Sequence, residues 1–547
     1  MKKSFSITGQ LVDVVAGKMF PGKVKVKDGK ILSVTPGEVA ENQFILPGLI
    51  DAHVHIESSM LVPAEFARLA VVHGTTATVS DPHEIANVLG MEGIDFMINN
   101  GNLTPFKFHF GAPSCVPATV FESSGAVINA SQIDKLLQRN DICYLSEMMN
   151  FPGVIFGDQE VHQKLAFAKQ HNKPVDGHAP GLDSENIKKY ADAGITTDHE
   201  CTTISEAIEK INAGMHILIR EGSAARNFEA LVPLLATHPE KVMFCSDDKH
   251  PDDLVTGHIN LLIKRALRAG YDEMAVIRAC TLNPVRHYKL TSGLLQPGDP
   301  ADFVTVNNLA GFNIQQTFIN GILVASKGKS LLQSYKDESP NRFLATPVTA
   351  SDIEVVGGEG KMKVIEAFDG ALVTEKFLAD PVLSNGKVVS DVATGIMKIT
   401  VINRYEPSKP AVAFIRGFGL QRGAMASTVA HDSHNIICIG TNDADMVSVI
   451  NCLIAHKGGI AVTDGQSLDV LPLPVAGLMT GIDGYEVAEK YENINKKALA
   501  LGGPLKAPFM TLSFMALLVI PELKLSDKGL FDGIRFSFTE LFEGASS

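Results

Sequence analysis

Tryptophan is absent from these 547 residues. What remains is an ordinary soluble composition, 45% hydrophobic and 20% charged, so this gap excludes no globular fold. Cysteine is sparse: seven residues (Cys115, Cys143, Cys201, Cys245, Cys280, Cys438 and Cys452) with no CxxC spacing. An odd, scattered set argues against a disulfide framework and a thiolate zinc site, and a cytoplasmic location is expected. No hydrophobic run is long enough to span a bilayer. The longest, "FMTLSFMALLVI", is closed by Pro508 and Pro521 and reads as a buried helix or strand. The stretch "MKKSFSITGQ" has two lysines but no apolar run behind them, so no secretory signal is expected. Basic residues are in deficit: 48 Lys and Arg against 61 Asp and Glu leave a net charge of −13. Nucleic-acid backbones and anionic membranes are therefore not the expected partners, whereas a small molecule is.

A chain of this length exceeds what one hydrophobic core serves, and two or three domains are expected. Residues 1–45 read as short alternating strands, with Asp28-Gly29 as a tight hairpin turn. The same texture returns over 293–335, where Asn320-Gly321 is a second such turn. The two flanks predict one composite β-sandwich. Between them, 46–292 alternates eight strand candidates with helix-period segments such as "VPAEFARLAVVHG" and "DQEVHQKLAFAKQHN". The candidates are "GLIDAHVH", "TTATVSD", "FKFHFGA", "CYLSEM", "PVDGHA", "ITTDHE", "HILIRE" and "VMFCSDD". Eight such units match an α/β chain folded as a (β/α)8 barrel of TIM type, which takes about 250 residues. A doubly wound sheet alternates in the same way, so the polar residues must decide. Residues 345–547 read as a separate C-terminal α+β domain, joined through "YKDESPNRFLATP".

Strand side chains alternate faces, which predicts that Asp51, His53 and His55 point the same way. Other strand ends carry Glu147, His178, His199 and Asp247. At the C-terminal mouth of a barrel these would meet. Imidazole nitrogen and carboxylate oxygen are ligand types shared by zinc, manganese and iron. One carboxylate can bridge two ions, so two divalent metals fit such a set. A lone HxH pair is more often accidental; the coincidence across separate strand tips is what favours a metal centre. His162, His171, His216 and His238 default to surface or core roles.

These residues resemble the amidohydrolase superfamily, whose first-strand motif is similar to "PGLIDAHVH". More narrowly, "LPGLIDAHVHIESSM", "SDPHEIANVLG", "LSEMMNFPGV", "DGHAPGL", "CSDDKHPDDL" and the later "AHDSHNIICIG" resemble the bacterial adenine deaminase family across essentially the whole chain. Cyclic-amide hydrolases place a lysine on the fourth strand; here that strand offers Glu147, as in adenine deaminases and some amino-sugar deacetylases. The resemblance implies hydrolysis of adenine to hypoxanthine and ammonia in purine salvage. It also implies two divalent ions, manganese or iron before zinc, held by His53, His55, Glu147, His178, His199 and Asp247. Asp247, His199 and Glu147 are then the catalytic residues. A metal-activated hydroxide would attack C6 of adenine, Asp247 taking its proton, while Glu84 or Glu200 is a candidate acid for the ring. An N-acetyl amino-sugar deacetylase is the alternative, and a homo-oligomer is expected.

Three motifs stay open. Asp81, His83 and Glu84 follow the second strand: His83 or Glu84 would touch substrate or move a proton, and Asp81 would do the same or cap a helix. Arg220 and Glu221 would form a structural ion pair or recognise the base. The loop His431, Asp432, Ser433 and His434 would hold a further metal, form a turn, or, the preferred reading, lie over the barrel mouth. The tail "ESSM", residues 57–60, is expected to line the entrance.

Overall fold

The segments read as strands between 46 and 292 are buried along nearly their whole length, as in a parallel sheet enclosed on both faces. In the computed structural model, which describes residues 4–40, 42–223, 225–335 and 338–544, they form eight strands. These are β1 (Leu49–Val54), β2 (Thr75–Ser80), β3 (Lys107–Ala112), β4 (Ile142–Met148), β5 (Val175–Gly177), β6 (Thr197–Asp198), β7 (His216–Arg220) and β8 (Val242–Cys245). Lys2 and Lys3, and Lys336 and Asp337 of the link, lie outside the described residues.

Strands β1 to β5 pair in parallel in that order, as do β6 to β8. Two seams of backbone hydrogen bonds join the arcs. At one, Thr196 N–H donates to Val175 O at 2.9 Å; at the other, Asp247 N–H donates to His53 O at 3.0 Å and His55 N–H to Asp247 O at 3.3 Å. The sheet thus curls into a (β/α)8 barrel. Helices such as Pro63–Ala70, Gln159–Gln170, Ser184–Asp192 and Ile259–Arg268 wrap it.

Simple alternation does not aim the site residues. Leu49 packs in the helical layer with Ile259, Leu262 and Ile263, whereas Ile50 and Ala52 join the apolar set of Ala77, Val79, Leu218 and Met243. Asp51 shares the side of Leu49: its carboxylate lies 2.8 Å from His258 Nε2 and accepts from Ser246. Strict alternation would send His53 the same way. The pairing of β1 with β2 instead shifts between Asp51 and Val54, and His53 turns inward to stack on His199, ring centroids 4.3 Å apart. The expectation that Asp51, His53 and His55 share a direction is corrected for Asp51. A second shift, between Leu145 and Met148 of β4, does the same for Glu147: Tyr144 belongs to the inner set, and Leu145 and Met148 to the outer. Such bulges re-aim a side chain by inserting one residue into the ladder.

Both chain flanks feed one eight-stranded sheet. Its order is Lys329–Ser330, Ile322–Ser326, Ile314–Ile319, Phe303–Val306, Phe44–Pro47, Ser4–Asp13, Lys18–Lys27 and Lys30–Pro36. The sheet folds across itself over Leu11, Val24, Val26, Phe303 and Phe318. Its two hairpin turns meet where Ala301 N–H donates to Gly29 O and Gly321 N–H to Ala301 O. Both turns need left-handed backbone at both positions (φ 53° and 79°, then 49° and 70°), which is why Asp-Gly and Asn-Gly occupy them.

The C-terminal region is a second eight-stranded sheet, mainly antiparallel, running from Glu375–Ala379 to Leu468–Pro472. Helix Asp443–His456 covers one face through Met446, Val449, Ile450 and Leu453. The other face, with Ile399, Met425, Ile437 and Ile439, shares one continuous core with Ile85, Val88 and Met148 of the barrel. The run "FMTLSFMALLVI" breaks into helix Pro508–Ser513 and a 3-10 turn, Phe514–Ala516. Among the described residues no helix is long and apolar enough to cross a membrane.

Candidate active site

The ends of β1, β4, β5, β6 and β8 bring six ionisable side chains to one end of the barrel. His53 Nε2 and His55 Nε2 lie 3.1 Å apart. Glu147 stands between two groups of imidazoles: Oε1 is 3.3 Å from His55 Nε2, and Oε2 is 2.9 Å from His178 Nδ1 and 3.2 Å from His199 Nε2. Asp247 Oδ1 lies 3.4 Å from His55 Nε2 and 3.7 Å from His53 Nε2. Its backbone is left-handed, φ 55°, a costly conformation that the β1–β8 hydrogen bonds hold in place.

Electrostatics follow from burial and neighbours. Burial, then His199 and His55, push His53 well below the ordinary imidazole value. Burial works to raise the Glu147 carboxyl, yet hydrogen bonds with His178, His199 and His55 hold it well below the usual range. Burial opposes ionisation of Asp247 as well, and the Arg220 guanidinium overcomes it.

Imidazole nitrogens aimed at one another this closely repel unless a proton or a cation lies between them. The sets His53–His55–Asp247, His53–Glu147–His199 and His55–Asp81–His83–Glu147 each bring their ligand atoms within 4.8 Å of one another. Buried His53 Nδ1 and Asp432 Oδ2 have no hydrogen-bond partner among the described residues. A convergent nitrogen and oxygen set of this kind fits a divalent metal.

The motif after β2 enters the same space. Asp81 Oδ1 accepts from His83 N–H at 3.0 Å at the start of helix His83–Leu89, and its other oxygen lies 3.3 Å from His83 Nδ1. Asp81 thus secures the helix start and orients His83 together. Glu84 is held on both oxygens by His431 and His434 of the C-terminal loop. That loop therefore lies at the barrel mouth.

Arg220 reaches the site, paired with Glu200 and 2.9 Å from Asp247 Oδ2. Glu221 turns away to Arg265 at 2.7 Å. Glu57, Ser58 and Ser59 do not line the pocket, contrary to expectation. All three are buried behind it: Glu57 accepts from Ile85 N–H, Ser58 donates to Asp248, and Ser59 donates to Ile56 O. Short polar side chains in a 3-10 turn satisfy nearby groups before they can reach the opening.

Sequence reasoning missed Leu372 and Phe514 as lining residues, whereas Asp432 belongs to the loop expected over the mouth. No spacing signal marks Leu372 or Phe514, because the barrel residues with which they share the pocket lie far away in sequence.

Residues 44–324 match the amidohydrolase family, and residues 371–537 match the adenine deaminase C-terminal domain. The chain is 51% identical to adenine deaminase of Salinibacter ruber over 99% of this chain and all of that one. It is 51% identical to adenine deaminase of Methanosarcina barkeri, covering 98% and 99% of the two chains. This chain belongs to the adenine deaminase family. Adenine deaminase of a Sulfurovum species is 52% identical over 97% of this chain and 98% of its own. Matches of this extent include both halves of the site, the barrel tips and the C-terminal loop.

Proposed function

We infer that the chain hydrolyses adenine to hypoxanthine and ammonia, a hydrolase acting on a carbon–nitrogen bond, and that it does so with two divalent ions. The relatives at 51% identity carry the substrate, and the observation that carries the two-ion reading is Glu147, whose two oxygens face separate imidazole groups while His53, His55 and Asp247 close the set. His53, His55, Glu147, His178, His199 and Asp247 would hold the pair, with manganese or iron ahead of zinc. Bound there, such ions would lower the pKa of water to about 7 and so supply hydroxide at neutral pH.

The chain's own residues do the rest. Asp247, kept ionised by Arg220, is in the state that can accept a proton, and it passes that proton towards the departing amine. His199 lies beside Glu147 and polarises the reacting end of the base. His83, steadied by Asp81 and Glu84, faces the pocket and serves the ring nitrogen that gains a proton as C6 becomes tetrahedral. The C-terminal loop, fastened to Glu84, limits water at the mouth. The role is purine salvage in the cytoplasm by a homo-oligomer.

Metal removal tests the centre. Protein stripped by a chelator is expected to lose adenine turnover to background and recover it with about two equivalents of manganese or iron. Recovery complete at one equivalent, or turnover untouched by stripping, would overturn the two-ion reading. Acetate release from an N-acetyl amino sugar in place of ammonia from adenine would move the chain to the deacetylases.

A further inference from the structure

The pocket has two unlike walls. The barrel side is almost wholly polar, with His55, His83, Glu147, His199 and Asp247. The C-terminal domain adds an apolar patch, Leu372, Phe514, Leu517, Val519 and Ile520, beside the polar His431 and Asp432. Beneath that apolar side lies Lys524, a fully buried lysine that the catalytic arrangement does not use. Its ammonium donates to Leu372 O at 2.6 Å and to Phe514 O at 3.1 Å, so one lysine ties together two segments of the wall. The surrounding strap is continuous. Thr374 N–H donates to Pro521 O, Glu522 N–H to Thr374 O, and Thr374 Oγ1 to Leu523 O. Phe514 also stacks on His431, ring centroids 4.8 Å apart and planes 13° apart, and His431 grips Glu84.

A buried lysine amino group with no carboxylate partner among the described residues is expensive, and the ordinary outcome is replacement by an apolar residue. A role for its directed hydrogen bonds explains its place here. A heteroaromatic base has a polar edge and two flat apolar faces, which matches these two walls.

We propose that the C-terminal segment of Leu372, Phe514, Leu517 and Ile520 is the surface against which the substrate's ring face rests, and that Lys524 is the positioning residue that holds it. This rests on the reading of adenine as substrate. The apolar wall sets affinity and selects a flat heterocycle, while the barrel residues carry the bond changes.

Full-length, metal-loaded Lys524→Met and Phe514→Ala proteins test it. The methionine keeps similar bulk and removes the donors. Both variants are expected to retain wild-type metal content and raise KM for adenine about tenfold or more, with kcat altered less than about threefold. That is the signature of lost uniform binding. Hypoxanthine binding, followed calorimetrically, is expected to weaken in parallel, a readout independent of turnover.

Stability supplies a check on Lys524 itself. Burial alone lowers its pKa to about 7, so between that value and the ordinary lysine range the unfolded chain binds a proton that the folded chain lacks. Wild-type stability relative to Lys524→Met is therefore expected to rise with pH above about 7.

Unchanged KM in both variants, or a fall confined to kcat, would overturn the proposal while wild-type adenine turnover stands. A metal-loaded wild type that fails to turn over adenine would overturn the substrate reading, and this proposal with it.

Discussion

Asp247→Asn is expected to keep most of its metal and to lose turnover by about 10²- to 10⁴-fold, the range that a positioned proton acceptor contributes. The two side chains are isosteric, so one oxygen can still face His53 and His55. The amide nitrogen then faces Arg220 and loses the 2.9 Å contact that the carboxylate makes there, but Arg220 keeps Glu200. The change therefore removes proton acceptance and leaves the fold's ion pairs largely intact. The strained backbone at φ 55° also tolerates asparagine better than most residues. Metal analysis alongside steady-state kinetics checks both halves. Near-wild-type kcat would remove Asp247 from proton transfer; loss of metal in step with activity would make it a ligand only.

Glu147→Gln is expected to be more severe and different in kind: metal content below half of wild type and kcat down by more than about 10³-fold. Glu147 is fully buried among His55, His178 and His199 and carries the negative charge that faces them. Glutamine offers one oxygen where the carboxylate offers two, and its NH₂ must point at one of the imidazole groups. Either orientation removes the carboxylate oxygen that one of those groups faces. Burial makes the loss sharper, because an unpaired polar group inside the protein costs about 1–3 kcal/mol before any metal is counted. Metal titration against activity separates outcomes. A single ion bound with activity gone would fit a carboxylate shared by two ions; two ions bound with full activity would show that Glu147 holds neither.

These two variants probe positions whose geometry was unevenly legible. The eight segments read as barrel strands are strands, because each is a short apolar run bounded by turn residues and that pattern is local. The same holds for the Asp28-Gly29 and Asn320-Gly321 hairpins, whose left-handed turns need those residue types. The direction in which His53 and Glu147 point is another matter. It depends on one-residue register shifts against β2 and β5, and a shift of one residue moves a side chain to the opposite face. Asp51 shows the consequence. It lies two residues before His53 in "DAHVH", yet it serves His258 and Ser246 in the helical layer.

The C-terminal contribution was the least readable. Glu84 meets His431 and His434 across 347 and 350 positions, and the apolar run after Pro508 looks from sequence like any buried segment. Apolar residues beside a polar cluster read as core, and only their placement at the barrel mouth makes them a wall of the pocket.

By itself, then, the sequence determined the element types, the alternating barrel and the chemical groups at its strand tips, since periodicity and side-chain chemistry are properties of short windows. Tertiary structure alone decided which of those groups face one another, how two bulges aim His53 and Glu147, and that a distant domain closes the site. Those outcomes rest on register and long-range packing, whose free energy belongs to pairs of segments and is written in neither one alone.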